Sequence, residues 1–162
     1  CVLWVGACRE AGLIKGWGTF LSIVRANPDI SFVAVFKDQP AEYCPPNMRI
    51  FSRLTHADLV KVIGACRVGL CTSRTESQHL AGIEMGACGL PLVVPPVGTY
   101  WKRESLPGGV VSGDDPRSYA MACRNALGVV WLQDSVRSYW QQEFSAPIIK
   151  AAWTSLIGEV ES

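Results

Sequence analysis

The chain predicts a doubly wound α/β domain, a parallel sheet with helices on both faces. Apolar runs of four to six residues recur along it, and they are continuous, as in strands buried on both sides. Longer amphipathic stretches separate the runs, which is the alternation of strand and helix that builds a parallel sheet. Capping and turn residues stand at the junctions.

Val2 to Val5 opens the order as a buried strand. A helix is expected near Ile14 to Ala26, and Asn27-Pro28-Asp29 stops it. Phe32 to Phe36 and Met48 to Phe51 follow as strands. Thr55 and Asp58 form a capping pair for a helix over Ala57 to Cys66. The strand Val68 to Cys71 leads into a helix over Gln78 to Cys88, which Gly89-Leu90-Pro91 closes ahead of the strand Pro91 to Val94. Gly109 to Val111 reads as the sixth strand. Asp114-Asp115-Pro116 caps a helix over Arg117 to Leu127, with Pro116 at its first position, so it is no Asp-x-Asp metal motif. The tail from Val129 to Val160, with Trp131, Tyr139, Trp140, Phe144 and Trp153, reads as helices broken near Pro147. No repeat, low-complexity segment or linker divides the 162 residues, so 1–162 is one domain.

Composition narrows the partners. An apolar fraction of 49%, a charged fraction of 18% and a net charge of +1 argue against disorder and against a nucleic-acid partner. Arg49, Arg53, Lys61, Arg67 and Arg74 are scattered rather than gathered into a stripe, so any anion site is local. No apolar run reaches the roughly 18 residues that span a bilayer, and the first residues lack the basic flank of a signal peptide; a cytoplasmic protein is expected. The chain has no initial Met and starts in a strand, which reads as part of a longer protein. Seven cysteines form no Cys-x-x-Cys pair and only two histidines are present, so no metal site is expected and the cysteines read as small buried apolar residues in a reducing compartment.

In doubly wound sheets ligands lie beyond the carboxyl ends of the strands, so the loop after Cys71 is informative. It carries Glu76 and Glu84, with seven residues between them. A helix starting near Gln78 would aim the N–H groups of Gln78, His79 and Leu80 at an anion such as a phosphate. Glu84 would lie about 9 Å along the helix, roughly the span from a diphosphate to the far hydroxyls of a ribose. Its neighbours Leu80, Ala81, Ala87 and Cys88 are apolar, so the carboxylate needs donors. Sugar hydroxyls, an arginine elsewhere or solvent would each serve. His79 is either a sugar contact or a filler at the helix start, and His56 is expected exposed at its own helix start.

The frame Ser73-Arg74-Thr75-Glu76-Ser77 followed by Ile83-Glu84-Met85-Gly86-Ala87-Cys88-Gly89-Leu90-Pro91-Leu92-Val93-Val94 resembles the Glu-x7-Glu signature of retaining GT-B glycosyltransferases, glycosyltransferase family 4 in particular. Val2 to Gly6 followed by Lys15-Gly16-Trp17 is similar to that family's strand and Lys-Gly pattern, and Asn47 to Leu54 and Pro96-Val97-Gly98 match further spacings. The resemblance implies a Rossmann-like, donor-binding domain for a nucleoside diphosphate sugar, with no other cofactor and no metal. It assigns Glu76 to the donor sugar as the catalytic residue, Glu84 to the ribose, and Lys15 with the amides of Gln78, His79 and Leu80 to the diphosphate. Arg53 falls in the stretch expected to meet the nucleobase. The family's Arg after the first Gly is replaced by Ala7, and Arg9 is either its substitute or a surface residue. The resemblance further implies a separate N-terminal acceptor-binding domain, no transfer by this chain alone, and self-association through the aromatic tail once that neighbour is removed. A nucleotide-sugar epimerase and a non-catalytic nucleotide-binding module are the alternatives.

Overall fold

The expected strands assemble into one six-stranded parallel sheet in the order β3-β2-β1-β4-β5-β6. The computed structural model describes residues 1–6, 10–36, 44–113 and 115–160. β1 (Val2–Gly6) is central and pairs with β2 (Phe32–Phe36) along its whole length, Val2 opposite Phe32 and Gly6 opposite Phe36. β2 carries β3 (Met48–Ser52) on its far side. The other edge of β1 takes β4 (Val68–Leu70), followed by β5 (Leu92–Val94) and β6 (Gly108–Val110). The chain thus builds outward from β1 in one direction and then returns to build in the other. The gap between β1 and β4 is the switch point where such sheets open a crevice.

Alternation along β1 feeds two cores. Val2 and Trp4 point to the face covered by α2 (Trp17–Ala26) and α5 (Pro116–Gly128), where they meet Phe20, Ile23, Phe36 and Tyr119. Leu3 points to the face covered by α3 (His56–Gly64), α4 (Leu80–Ala87) and α6 (Gln133–Phe144), among Ile63, Met85, Leu92, Tyr100 and Trp140. Thr55 accepts the Asp58 N–H at 3.2 Å and caps α3, and Asp115 accepts from Arg117 and Ser118 ahead of Pro116, both as expected. Asp114 lies outside the described residues. Among the described residues no helix is long and apolar enough to cross a membrane.

Three expectations change. The first helix is two: α1 (Glu10–Lys15) ends where Gly16 turns left-handed at φ 69°, and α2 starts at Trp17. A side chain there would also strike the Thr72 carbonyl. α4 starts at Leu80, two residues later than its pattern suggests: the buried His79 ring is held against Tyr100, and the Leu80 N–H turns back to the Gln78 carbonyl at 3.1 Å. In the tail, α6 and α7 (Ala146–Val160) part at Ser145, with Pro147 in the first turn of α7. Trp140 is only 1% exposed, buried by the chain's own α4; among the described residues of α7, Ile148, Ile149 and Trp153 are exposed.

Candidate functional site

Two loops converge at the carboxyl ends of β1 and β4. Thr72, directly after β4 and Cys71, accepts the Trp4 indole N–H at 3.0 Å and its hydroxyl lies 3.1 and 3.0 Å from the carbonyls of Lys15 and Gly16. The Arg74 N–H donates to the Ile14 carbonyl at 2.8 Å. These bonds stitch the α1–α2 break to the β4–α4 loop. As a result Lys15 Nζ stands 2.7 Å from Glu76 Oε1, which also accepts from Ser73 Oγ at 2.8 Å. The Glu76 side chain is 7% exposed and Lys15 31%, so the pair is fixed rather than a loose surface contact.

His79 caps α4 by position but not by a side-chain bond. Its ring is buried, with Nδ1 2.7 Å from the Tyr100 hydroxyl on the 3₁₀ turn Gly98–Tyr100. Burial pulls the imidazole down to about 4 against the opposing charge of Glu76, so it is neutral at neutral pH, and burial raises the Tyr100 hydroxyl. His79 therefore anchors the start of α4 through Tyr100. Leu80 does not offer its N–H to an anion as expected, since the turn to Gln78 uses it. The N–H groups of Gln78 and His79 have no main-chain partner among the described residues. Gln78 itself is exposed.

Glu84 is half-buried on α4, and its carboxylate has no hydrogen bond or ion pair among the described residues. The arginine partner that would make it structural is not found there. Arg53 is exposed in a left-handed turn at φ 54°, its N–H held by the Phe36 carbonyl at 3.1 Å. With Val5, Val35, Phe36, Leu54 and Leu59 it lines an apolar cavity of about 250 Å³ at the carboxyl ends of β1 to β3. Asn47 and Arg49, grouped with Arg53 in the expected base-binding stretch, lie at the opposite end of β3. There the Asn47 amide donates to the carbonyls of Val24, Asn27 and Ile30. His56 is exposed at the start of α3, as expected. Arg9 and Ala7 lie outside the described residues.

Cys71, Glu76 and His79 each bring one ligand-type atom within 4.8 Å of the others. Glu76 Oε1 accepts from Lys15 and Ser73 and His79 Nδ1 lies against the Tyr100 hydroxyl, while burial pushes the Cys71 thiol up to about 11. The cluster acts as a buried, hydrogen-bonded support for the loop. Sequence reasoning missed Thr72, Ser73 and Tyr100. The first two carried a readable signal, two hydroxyls following a buried strand; Tyr100 carried none, because its contact with His79 crosses from one loop to another.

No family model matches the chain, and no curated protein sequence matches it. Solved structures do. Sucrose-phosphate synthase from Thermosynechococcus elongatus superposes with a TM-score of 0.80 at 20% identity, over 98% of this chain and 45% of that one. A glycosyltransferase from Rickettsia africae ESF-5 gives 0.75 at 14% identity, over 99% and 48%. Anabaena HepE, solved in complex with UDP and glucose, gives 0.74 at 13% identity, over 97% and 48%. These are GT-B glycosyltransferases, and this chain has the fold of one Rossmann-like domain of that class. It spans less than half the length of each of the three.

Proposed function

We propose that this chain binds a nucleoside diphosphate sugar and serves as the donor-binding half of a retaining glycosyltransferase. The observation that carries the reading is Glu84. It is a half-buried carboxylate without a described partner, on the same short helix whose start leaves the Gln78 and His79 amides open at the switch point. Donor hydroxyls from a ribose would satisfy it, and a diphosphate at the helix start would gain from the amides and the helix dipole. Lys15 adds positive charge beside that position, and its bond to Glu76 holds it in place before any ligand arrives. Glu76, held through Oε1 by Lys15 and Ser73, keeps Oε2 to meet the sugar. The apolar cavity beside Arg53 is of the kind that takes a flat base.

The bound UDP and glucose of HepE support a donor of this class, and the half-length coverage supports a second domain as the holder of the acceptor. On this reading the chain alone binds donor but transfers no sugar, since the acceptor is not positioned. An epimerase would need a histidine and carboxylate facing the sugar; His79 is turned into the core against Tyr100.

Calorimetry without magnesium tests the assignment. A nucleoside diphosphate is expected to bind more tightly than its monophosphate. Glu84→Gln should weaken diphosphate binding by about 1.5 kcal/mol or more, roughly tenfold. Glu76→Gln should leave the bare diphosphate bound and weaken only the nucleotide sugar. Unchanged diphosphate affinity in Glu84→Gln would overturn the proposal.

A further inference from the structure

At the opposite end of the sheet, where no donor site lies, Cys1 and Cys66 face each other with their sulfurs 3.3 Å apart. The turn that leads from α3 into β4 brings them together. β1 pairs with β4 with Val2 opposite Val68, and the Arg67 N–H extends that ladder by donating to the Cys1 carbonyl at 3.0 Å. Cys66 stands one residue earlier, in the turn where its N–H bonds the Ile63 carbonyl at 3.0 Å, and its side chain lies on the same face of the sheet as that of Cys1. From a sulfur separation of 3.3 Å a small side-chain movement reaches the roughly 2.05 Å of an S–S bond. Both thiols line a cavity of about 440 Å³ with Val33, Asn47, Arg49 and Val62. That cavity gives a small oxidant a route to a sulfur pair which Cys66 alone, buried as it is, would not offer.

We propose that Cys1 and Cys66 are a reversible dithiol–disulfide site, oxidised by a small-molecule disulfide of the glutathione type. The half-buried Cys1 thiolate attacks one sulfur of the oxidant and releases one thiol. Cys66 then loses its proton, displaces the second thiol from the mixed disulfide and closes the Cys1–Cys66 bond. Two protein thiols and one disulfide become one protein disulfide and two small thiols, so atoms and electrons balance. Burial pushes the Cys66 thiol up, which makes it the slower sulfur and fits it to the resolving step. Exposed Cys44, whose sulfur bonds the Met48 carbonyl at 3.1 Å, has no thiol facing it among the described residues and would stop at the mixed disulfide.

The bridge would tie the start of β1 to the turn after α3, closing a loop across 65 positions, a length at which cross-linking restricts the unfolded chain strongly. The test is incubation of the chain with oxidised glutathione, followed by digestion without reduction and mass spectrometry. A peptide pair linked through Cys1 and Cys66 is expected, lost in Cys1→Ser and in Cys66→Ser but kept in Cys44→Ser. The melting temperature should rise on oxidation, return with dithiothreitol, and stay unmoved by oxidant in either bridging variant. Glutathione adducts alone, free thiols at both positions, or a bridge between other cysteines would overturn the proposal. Because the pair lies at the amino ends of the strands, donor affinity should not change on oxidation, so this outcome is independent of the proposed function.

Discussion

Trp4 and Trp140 are each 1% exposed and each sits in an aromatic cluster, but on opposite faces of the sheet. Trp4 stacks on Phe20 at 5.1 Å and gives its N–H to Thr72, which holds the Lys15–Gly16 turn. Trp140 stacks on Phe144 at 5.6 Å, meets Tyr100 edge-on and lies over Gly86 of α4, and its buried N–H has no hydrogen-bond partner among the described residues. The same side chain is thus a polar link to the site on one face and a shape-filling plug on the other. Burial alone does not reveal which buried residues bear on function; the destination of the polar atom does.

The largest effect should come from the glycines that accept these two arrangements. Gly16→Ala must adopt a left-handed turn, costing about 1–2 kcal/mol, and its methyl meets the Thr72 carbonyl, adding about 1–3 kcal/mol of overpacking. Gly86→Ala forces a methyl into the Trp140 indole, at about 1–3 kcal/mol. Both should lower the denaturant midpoint. Diphosphate affinity of the folded protein should fall only in Gly16→Ala, because only that turn carries Lys15. Equal loss of affinity in the two variants would erase the distinction between the faces.

Trp4→Phe sharpens it with a smaller change. The stacked ring is mostly kept, one hydrogen bond worth about 1 kcal/mol is lost, and Thr72 is left with the loop carbonyls alone. Stability should fall by about 2 kcal/mol in urea melts once the smaller ring is counted. Diphosphate affinity should drop severalfold, a loss that a purely structural tryptophan would not cause.

Much of this was legible in the sequence, for physical reasons that mark the limits too. The strands announced themselves because a sheet covered on both faces demands unbroken apolar runs, as Phe32–Phe36 shows. The Thr55 and Asp115 caps were legible because capping is a local bond over two or three residues. Glu84 stood out as a charge on an apolar face, and the structure leaves it unpaired among the described residues. The start of α4 was not legible, since it is set by His79 reaching across to Tyr100, and the break at Gly16 is set by contact with Thr72, 56 positions away. Both are tertiary contacts, which leave no trace in periodicity.

The buried ring of His79 adds a pH dependence on the Trp140 face. Its folded value of about 4 lies below the ordinary 6.5, so the unfolded chain takes up the proton first as pH falls. Stability from this group is full above about 6.5 and is lost progressively down to about 4. His79→Gln, which keeps a polar atom for Tyr100 but does not titrate, should flatten the thermal-melt profile in that window. At the alkaline end, burial pushes Cys71 to about 11 and Cys123 to about 12, so stability should fall as pH rises above the ordinary thiol value of 9. An unchanged limb between about 6.5 and 4 in His79→Gln would overturn this assignment, because Asp29, held down to about 2 by its bonds to Arg124, gives up its stabilisation only below its ordinary value of 3.8.

The smallest effect expected is that of Trp140→Phe, and its smallness is informative. Shrinking a buried tryptophan normally costs stability through the lost volume. Here the same change deletes a buried N–H without a partner, whose desolvation penalty of about 1–3 kcal/mol disappears with it. The two terms oppose, so the net change in unfolding free energy should stay within about 1 kcal/mol, well below that of Trp4→Phe, with diphosphate affinity unaltered. Because the indole occupies the space a methyl on Gly86 would need, Trp140→Phe should also relieve Gly86→Ala. A double-mutant cycle should give a favourable coupling of about 0.5–3 kcal/mol, as for residues in direct contact. Additive losses, or a Trp140→Phe cost matching that of Trp4→Phe, would show that the Trp140 N–H is satisfied in solution and that the two faces are built alike.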